Sequence, residues 1–131
     1  MRKLKGWFIV LLVSLSLFGM TACSDGGANS YEQITPQEAK TIMDTEKDYI
    51  IFDARTTEEF AEGHIADAIL IPEYEIADRA EKELPDKDAL ILVYCRSGRR
   101  SKIASEELVK LGYTNVKEFV GIIDWPYEVV K

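Results

Sequence analysis

Cys95 is followed directly by Arg96, Ser97, Gly98, Arg99, Arg100 and Ser101. Three guanidiniums this close repel one another unless something negative sits among them. A thiolate and an anionic substrate would supply that charge, and hydrogen bonds to ionised groups are the strong ones. Thiols beside cations or at helix N-termini ionise more readily than a free cysteine. Gly98 permits the sharp turn that aims successive backbone N–H groups inward as an anion nest. A helix opening near Arg99 would add about half a positive charge at its N-terminus. Cys95 is therefore expected to be a nucleophile, ionised at neutral pH, with Arg96, Ser97, Gly98, Arg99 and Arg100 as its anion-binding loop. Free cysteines after core strands are commonly inert packing groups. Arginines in a helix's first turn, however, oppose the macrodipole, so fold stability does not explain them.

Loop length narrows the chemistry. A cysteine phosphatase needs five residues between its cysteine and an arginine, so that the loop encloses a phosphate. Here the sixth residue after Cys95 is Ser101, and arginine comes one step earlier at Arg100. The smaller cradle suits a sulfur-sized addition on Cys95 better than a tetrahedral oxyanion, which disfavours a phosphatase or arsenate reductase. Covalent catalysis through a thiolate needs no metal or organic cofactor, and none is expected. His64 is the single histidine, which leaves no Cys-His metal cluster.

The elements that must hold this loop alternate between helix and strand signals. "TPQEAKTIMD" (35–44) and "TTEEFAEG" (56–63) both open with capping boxes, Thr35 with Glu38 and Thr56 with Glu59. "EIADRAEKEL" (75–84) is a third helix before Pro85, and "RRSKIASEELVKLG" (99–112) a fourth, with Ile103, Leu108 and Leu111 inward. "DYIIFD" (48–53), "AILIP" (68–72), "ALILVY" (89–94) and "NVKEFV" (115–120) read as strands, the third being the most apolar. Strands apolar on both faces, alternating with helices, predict an α/β fold with a parallel sheet covered on both sides. In such sheets the ligand lies outside the carboxyl ends of the strands. Cys95 follows the end of one and precedes a helix.

Charge and the start of the chain set the setting. With 16 Lys+Arg against 23 Asp+Glu the net charge is −7, which argues against a nucleic-acid partner. Arg2, Lys3 and Lys5 precede the apolar run "WFIVLLVSLSLF" (7–18), too short for a span of about 20 residues but suited to a secretory signal. "MTAC" (20–23) resembles the lipobox of bacterial lipoproteins, with Met20 where leucine is usual. That resemblance makes residues 1–22 a lipoprotein signal peptide and Cys23 the lipidated residue. The expected location is the bacterial cell envelope, exported and held at the membrane through Cys23. "SDGGANS" (24–30) reads as a flexible tether reaching ~15 Å, and residues 31–131 as a single domain. If Cys23 is lipidated, Cys95 has no intramolecular disulfide partner, since the chain holds two cysteines.

Three segments, in order, are similar to the signatures of the single-domain rhodaneses, thiosulfate-type sulfurtransferases. "CRSGRRS" (95–101) resembles their active-site loop; "DARTTEEFAEGHI" (53–65) and "YTNVKEFVGIIDW" (113–125) are similar to their second and C-terminal signatures. The resemblance covers about residues 31–129. It implies a rhodanese-like fold, with a central, mostly parallel five-stranded sheet and helices on both faces. It also implies that Cys95 takes sulfane sulfur from an anionic donor of the thiosulfate or polysulfide class and passes it, as a persulfide, to a thiol or cyanide. Backbone N–H groups of Arg96 through Arg100 would hold the persulfide, and the protein would be a monomer. A sulfur-carrier or redox-partner module at the envelope, without turnover, is the alternative. His64 falls in a structural turn of the family, and Asp53, Arg55 and Glu59 are expected to form one ion-pair cluster. Trp125 is expected to plug the core. Two departures stand out: Ala66-Asp67 where the family has Pro-Gly, and Val120-Gly121 where it has Gly-Gly. Both are expected in connections facing the pocket.

Overall fold

Thr35 and Thr56 each accept a hydrogen bond from the N–H three residues on, and Glu38 and Glu59 reach back to the cap N–H groups. Each cap is worth about 1 kcal/mol, and each opens its helix where the sequence predicts one. The computed structural model describes residues 30–131; the leader at 1–22, Cys23 and residues 24–29 of the tether lie outside the described residues. Its strands are β1 (Glu32–Gln33), β2 (Ile50–Asp53), β3 (Ile69–Leu70), β4 (Ile91–Cys95) and β5 (Val116–Gly121). Its helices are α1 (Pro36–Thr45), α2 (Thr57–Glu62), α3 (Ile76–Glu83) and α4 (Arg99–Lys110). Among the described residues no helix is long and apolar enough to cross a membrane.

The strands form one five-stranded sheet in the order β1-β5-β4-β2-β3, and every pairing is parallel. The expectation of a mostly parallel sheet is met and exceeded. β1 is the strand the sequence does not announce: two exposed polar residues, held by their pairing with Lys117 and Glu118.

Side chains alternate across a strand, and β4 shows the consequence. Ile91, Val93 and Cys95 face the layer that contains Ile76 and Ala80 of α3 and Ala104 and Leu108 of α4. Leu92 and Tyr94 face the other layer, with Ala39 of α1, Phe119 and Trp125. Trp125 is buried there, its ring 5.5 Å from that of Phe119. On α4 the buried face is Ser101, Ala104, Ser105 and Leu108, while Ile103 and Leu111, expected inward, are half-buried. The first turn of that face is polar because it abuts the Cys95 loop rather than the apolar centre of the sheet.

Candidate active site

Cys95 is the last residue of β4 and is 1% exposed. Two-residue alternation with Ile91 and Val93 turns its Sγ toward α4. The chain then reverses through Arg96 and Ser97 to Gly98, the N-cap of α4, at φ 115°. Only glycine takes that conformation without strain, as the sequence expects. The Gly98 N–H donates to Cys95 Sγ at 3.0 Å. Sγ also lies 3.4 Å from Ser101 Oγ and 3.6 Å from the Val120 carbonyl oxygen. The thiol thus stands in a polar niche at the helix N-terminus.

The back of the niche is β5. Cys95 pairs with Gly121 beyond an irregularity in the β4–β5 register. A Cβ at Gly121 would sit 2.0 Å from the Arg96 carbonyl oxygen, so the loop rests directly on the strand backbone.

The three arginines divide. Arg96 and Arg99 are exposed, and Arg96 borders a cleft of about 380 Å³ shared with Arg55, Glu59, Trp125 and Tyr127. Arg100 instead turns to α2, where Nη1 donates to Glu59 Oε2 at 2.6 Å and Nη2 to Oε1 at 2.8 Å. The guanidinium, aided by Thr56 and against partial burial, brings the Glu59 carboxyl down to about 2. Ser97 is exposed at the tip of the turn.

The expected cluster of Asp53, Arg55 and Glu59 is in fact two separate pairs. Arg55 precedes the N-cap Thr56, so it shares no helix with Glu59 and the four-residue spacing brings nothing together. It grips Asp53 instead, with Nε at 3.0 Å and Nη2 at 2.8 Å, and donates to the Gly63 carbonyl at 2.7 Å. The Tyr94 hydroxyl donates to the same carboxylate at 2.7 Å and accepts from the Ile65 N–H. Burial, then the Asp53 charge, hold that phenol well above its ordinary value. This network pins the ends of β2 and β4 that carry the site. His64 stands apart from Cys95: its ring stacks on Phe60, Nδ1 is 2.9 Å from the Phe60 carbonyl oxygen, and its backbone bridges to Val130.

Both departures from the family pattern have positive φ, 65° at Asp67 and 73° at Val120. Val120 overlies the loop, its side chain 3.1 Å from where a Gly98 Cβ would be. Asp67 does not: it lines a second cleft of about 750 Å³ with Lys40, Tyr49 and Trp125, which contains no residue of the 95–100 loop. The expectation that both face the pocket therefore holds for Val120 only. An aspartate tolerates left-handed backbone, whereas a β-branched residue there is an outlier.

Two residues at the thiol were not singled out from the sequence, Ser101 and Glu118. Both are wholly buried. Ser101 Oγ lies 2.5 Å from Glu118 Oε1, beside the 3.4 Å contact with Sγ. A signal existed: Glu118 is two residues from the inward Val116, so strand alternation places it on the face toward α4.

A thiol held at a strand end, an amide donor on its sulfur and two exposed arginines at the mouth can bind and attack an anion. Comparison with known proteins places the chain in a family. The model of the rhodanese-like domain family matches residues 35–124. The chain is 38% identical over 79 residues to the thiosulfate sulfurtransferase PspE of Escherichia coli, covering 60% of this chain and 76% of that one. Over 104 residues it is 34% identical to the adenylyltransferase and sulfurtransferase UBA4 of Candida albicans, covering 74% of this chain. There it spans only 24% of the relative's length. The solved structure of a rhodanese-related protein from Thermoplasma volcanium superposes with a TM-score of 0.67 at 30% identity, over 76% of this chain and 98% of that one. The thiosulfate sulfurtransferases among these relatives are rhodanese-type enzymes. The chain, with its all-parallel sheet and its cysteine at the end of the central strand, belongs to the rhodanese family.

Proposed function

We propose that the protein transfers sulfane sulfur from a small anionic donor, of the thiosulfate or polysulfide class, to a thiol or cyanide through a persulfide on Cys95. The observation that carries this is the Gly98 N–H held 3.0 Å from Sγ at the N-terminus of α4. The Cys95 thiolate attacks the outer sulfur of thiosulfate; the S–S bond of the donor breaks and its electron pair leaves with sulfite. Cys95 then carries S–S⁻. An acceptor thiolate or cyanide attacks the terminal sulfur, and the electron pair of the Cys95 S–S bond returns to Sγ. The thiosulfate specificity named for PspE supports this donor class, and the two free loop arginines supply the attraction.

The test is intact mass after incubation with thiosulfate. Wild type should gain one sulfur and Cys95→Ser none; no gain in wild type, or equal gain in both, would end the proposal. Loading only from a persulfidated partner protein, with negligible turnover of small donors, would indicate a carrier instead. We also propose that the protein is exported and anchored through Cys23, on the strength of the basic, apolar and "MTAC" segments. Incorporation of labelled fatty acid by wild type but not by Cys23→Ser tests it.

A further inference from the structure

Glu118 is wholly buried, yet among the described residues no lysine or arginine forms an ion pair with it. A buried carboxylate without a cation is costly as an anion. Its Oε1 accepts from the Val120 N–H at 2.9 Å and lies 2.5 Å from Ser101 Oγ. Gln33 Nε2 stands 3.4 Å from Oε2. Ser101 Oγ is in turn 3.4 Å from Cys95 Sγ. One hydroxyl therefore bridges a buried carboxyl to the nucleophile.

The Ser101 hydroxyl has more neighbouring acceptors than protons. Ser101 Oγ also lies 3.0 Å from the carbonyl oxygens of Gly98 and Val120. With Cys95 and Glu118 both ionised, one hydroxyl proton would face four acceptors, and two buried anions would stand one hydroxyl apart. A second proton removes both difficulties. It can sit on Sγ or on Oε1, and Ser101 can pass it by giving up its own proton on one side while taking one on the other.

We propose that Cys95 and Glu118 share a single proton through the Ser101 hydroxyl, so that Glu118 stores the thiol's proton while Sγ reacts as the anion. In the step, the Sγ–H bond breaks as a new H–Oγ bond forms, and the old Oγ–H bond breaks as H–Oε1 forms. Sγ–H and carboxylate become Sγ⁻ and carboxylic acid; no electron is lost and the pair keeps one negative charge. The Gly98 N–H stabilises the sulfur side, and Val120 N–H still has a lone pair of Oε1 to meet. A persulfide is also an anion, so the proton needs no route to solvent during turnover. Other titratable groups around the relay are Arg100, held by Glu59, and Tyr31, whose phenol is raised by burial first and then by Glu106 of α4 and Glu118.

The inference rests on Cys95 being the sulfur-transfer nucleophile, but its test uses no sulfur donor. The ultraviolet absorbance of the thiolate is followed against pH in wild type and in Glu118→Gln, each corrected with its own Cys95→Ser partner. A shared proton makes the pair titrate as a unit. Wild type should rise to a partial shelf, flat across neutral pH because the sharing itself is independent of pH, and then complete in a second alkaline step. Glu118→Gln, which keeps a hydrogen-bonding oxygen but cannot take the proton, should lose the shelf and rise in one step. Infrared spectra of wild type alone give a second measurement should the variant fail to fold. The C=O stretch of a protonated carboxyl should be present at neutral pH and vanish at the alkaline step of the thiolate. A single wild-type step unchanged by Glu118→Gln, or no protonated-carboxyl band at neutral pH, overturns the proposal. Absence of sulfur loading with the shelf intact would instead count against the function and leave the proton store standing.

Discussion

Replacing Glu59 with glutamine keeps the size of the side chain and removes the charge that Arg100 holds. The folded carboxyl lies at about 2, against 4.5 when unperturbed, through its hydrogen bonds with Arg100 first and with Thr56 next. That difference corresponds to roughly 3 kcal/mol, at about 1.4 kcal/mol per pH unit. Both side chains keep some contact with water, 20% for Arg100 and 24% for Glu59, so solvent screening brings the expected contribution to about 1–2 kcal/mol. A carboxyl depressed in the folded state binds fewer protons there than in the unfolded chain. Its contribution is therefore full above pH 4.5 and is lost as pH falls toward 2. Urea unfolding of wild type and Glu59→Gln at pH 7 and pH 3 measures it. The variant should be less stable by about 1–2 kcal/mol at pH 7, with most of that gap gone at pH 3. A gap that is equal at the two pH values, or wider in acid, would refute the argument that Arg100 is spent on Glu59.

The exposed arginines have a different task. Arg96→Ala and Arg99→Ala should raise KM for thiosulfate several-fold at low salt and leave the sulfur loaded per chain unchanged. Wild-type kcat/KM should fall with ionic strength, as charges are screened over ~10 Å at 0.1 M, and the variants should show a flatter dependence; a salt-independent wild type refutes this. Arg100→Ala should lower kcat, because its loss frees the loop from α2. Gly121→Ala meets no conformational objection, at φ −164°, but its Cβ would lie 2.0 Å from the Arg96 carbonyl oxygen. It should cost about 2 kcal/mol or more and reduce persulfide loading, checked by thermal melting and intact mass. Val120→Gly should raise stability by about 1 kcal/mol, by releasing a β-branched residue from φ 73°; a lower melting temperature would show that its packing over Gly98 outweighs the strain.

Much of the scaffold is legible because its causes are local. A capping box needs only the residues Thr35 to Glu38, or Thr56 to Glu59, and each forms as the spacing requires. The turn at Gly98 likewise follows from one residue's freedom at positive φ. The apolar run at 89–94 supplies most of the fully buried β4, because its one polar side-chain group, the Tyr94 hydroxyl, is satisfied by Asp53 and the Ile65 N–H. β1 had no such cause, since two polar residues become a strand only when Lys117 and Glu118 lie beside them.

Sequence by itself determined which residues could react: a cysteine between a strand and a helix, a glycine to turn the chain, and arginines too many for the helix's own comfort. Tertiary structure alone decided how those residues are used. Arg100 meets Glu59 across 41 positions, because the fold brings these two side chains together, while Arg55 lies ahead of the cap of α2. Arg96 and Arg99 are left exposed. Glu118 and Ser101, 17 positions apart, meet under Cys95 only because β5 lies beside β4 in register. Charge and hydrogen bonding act over a few ångströms, and which groups come within that distance is set by the folded sheet, not by separation along the chain.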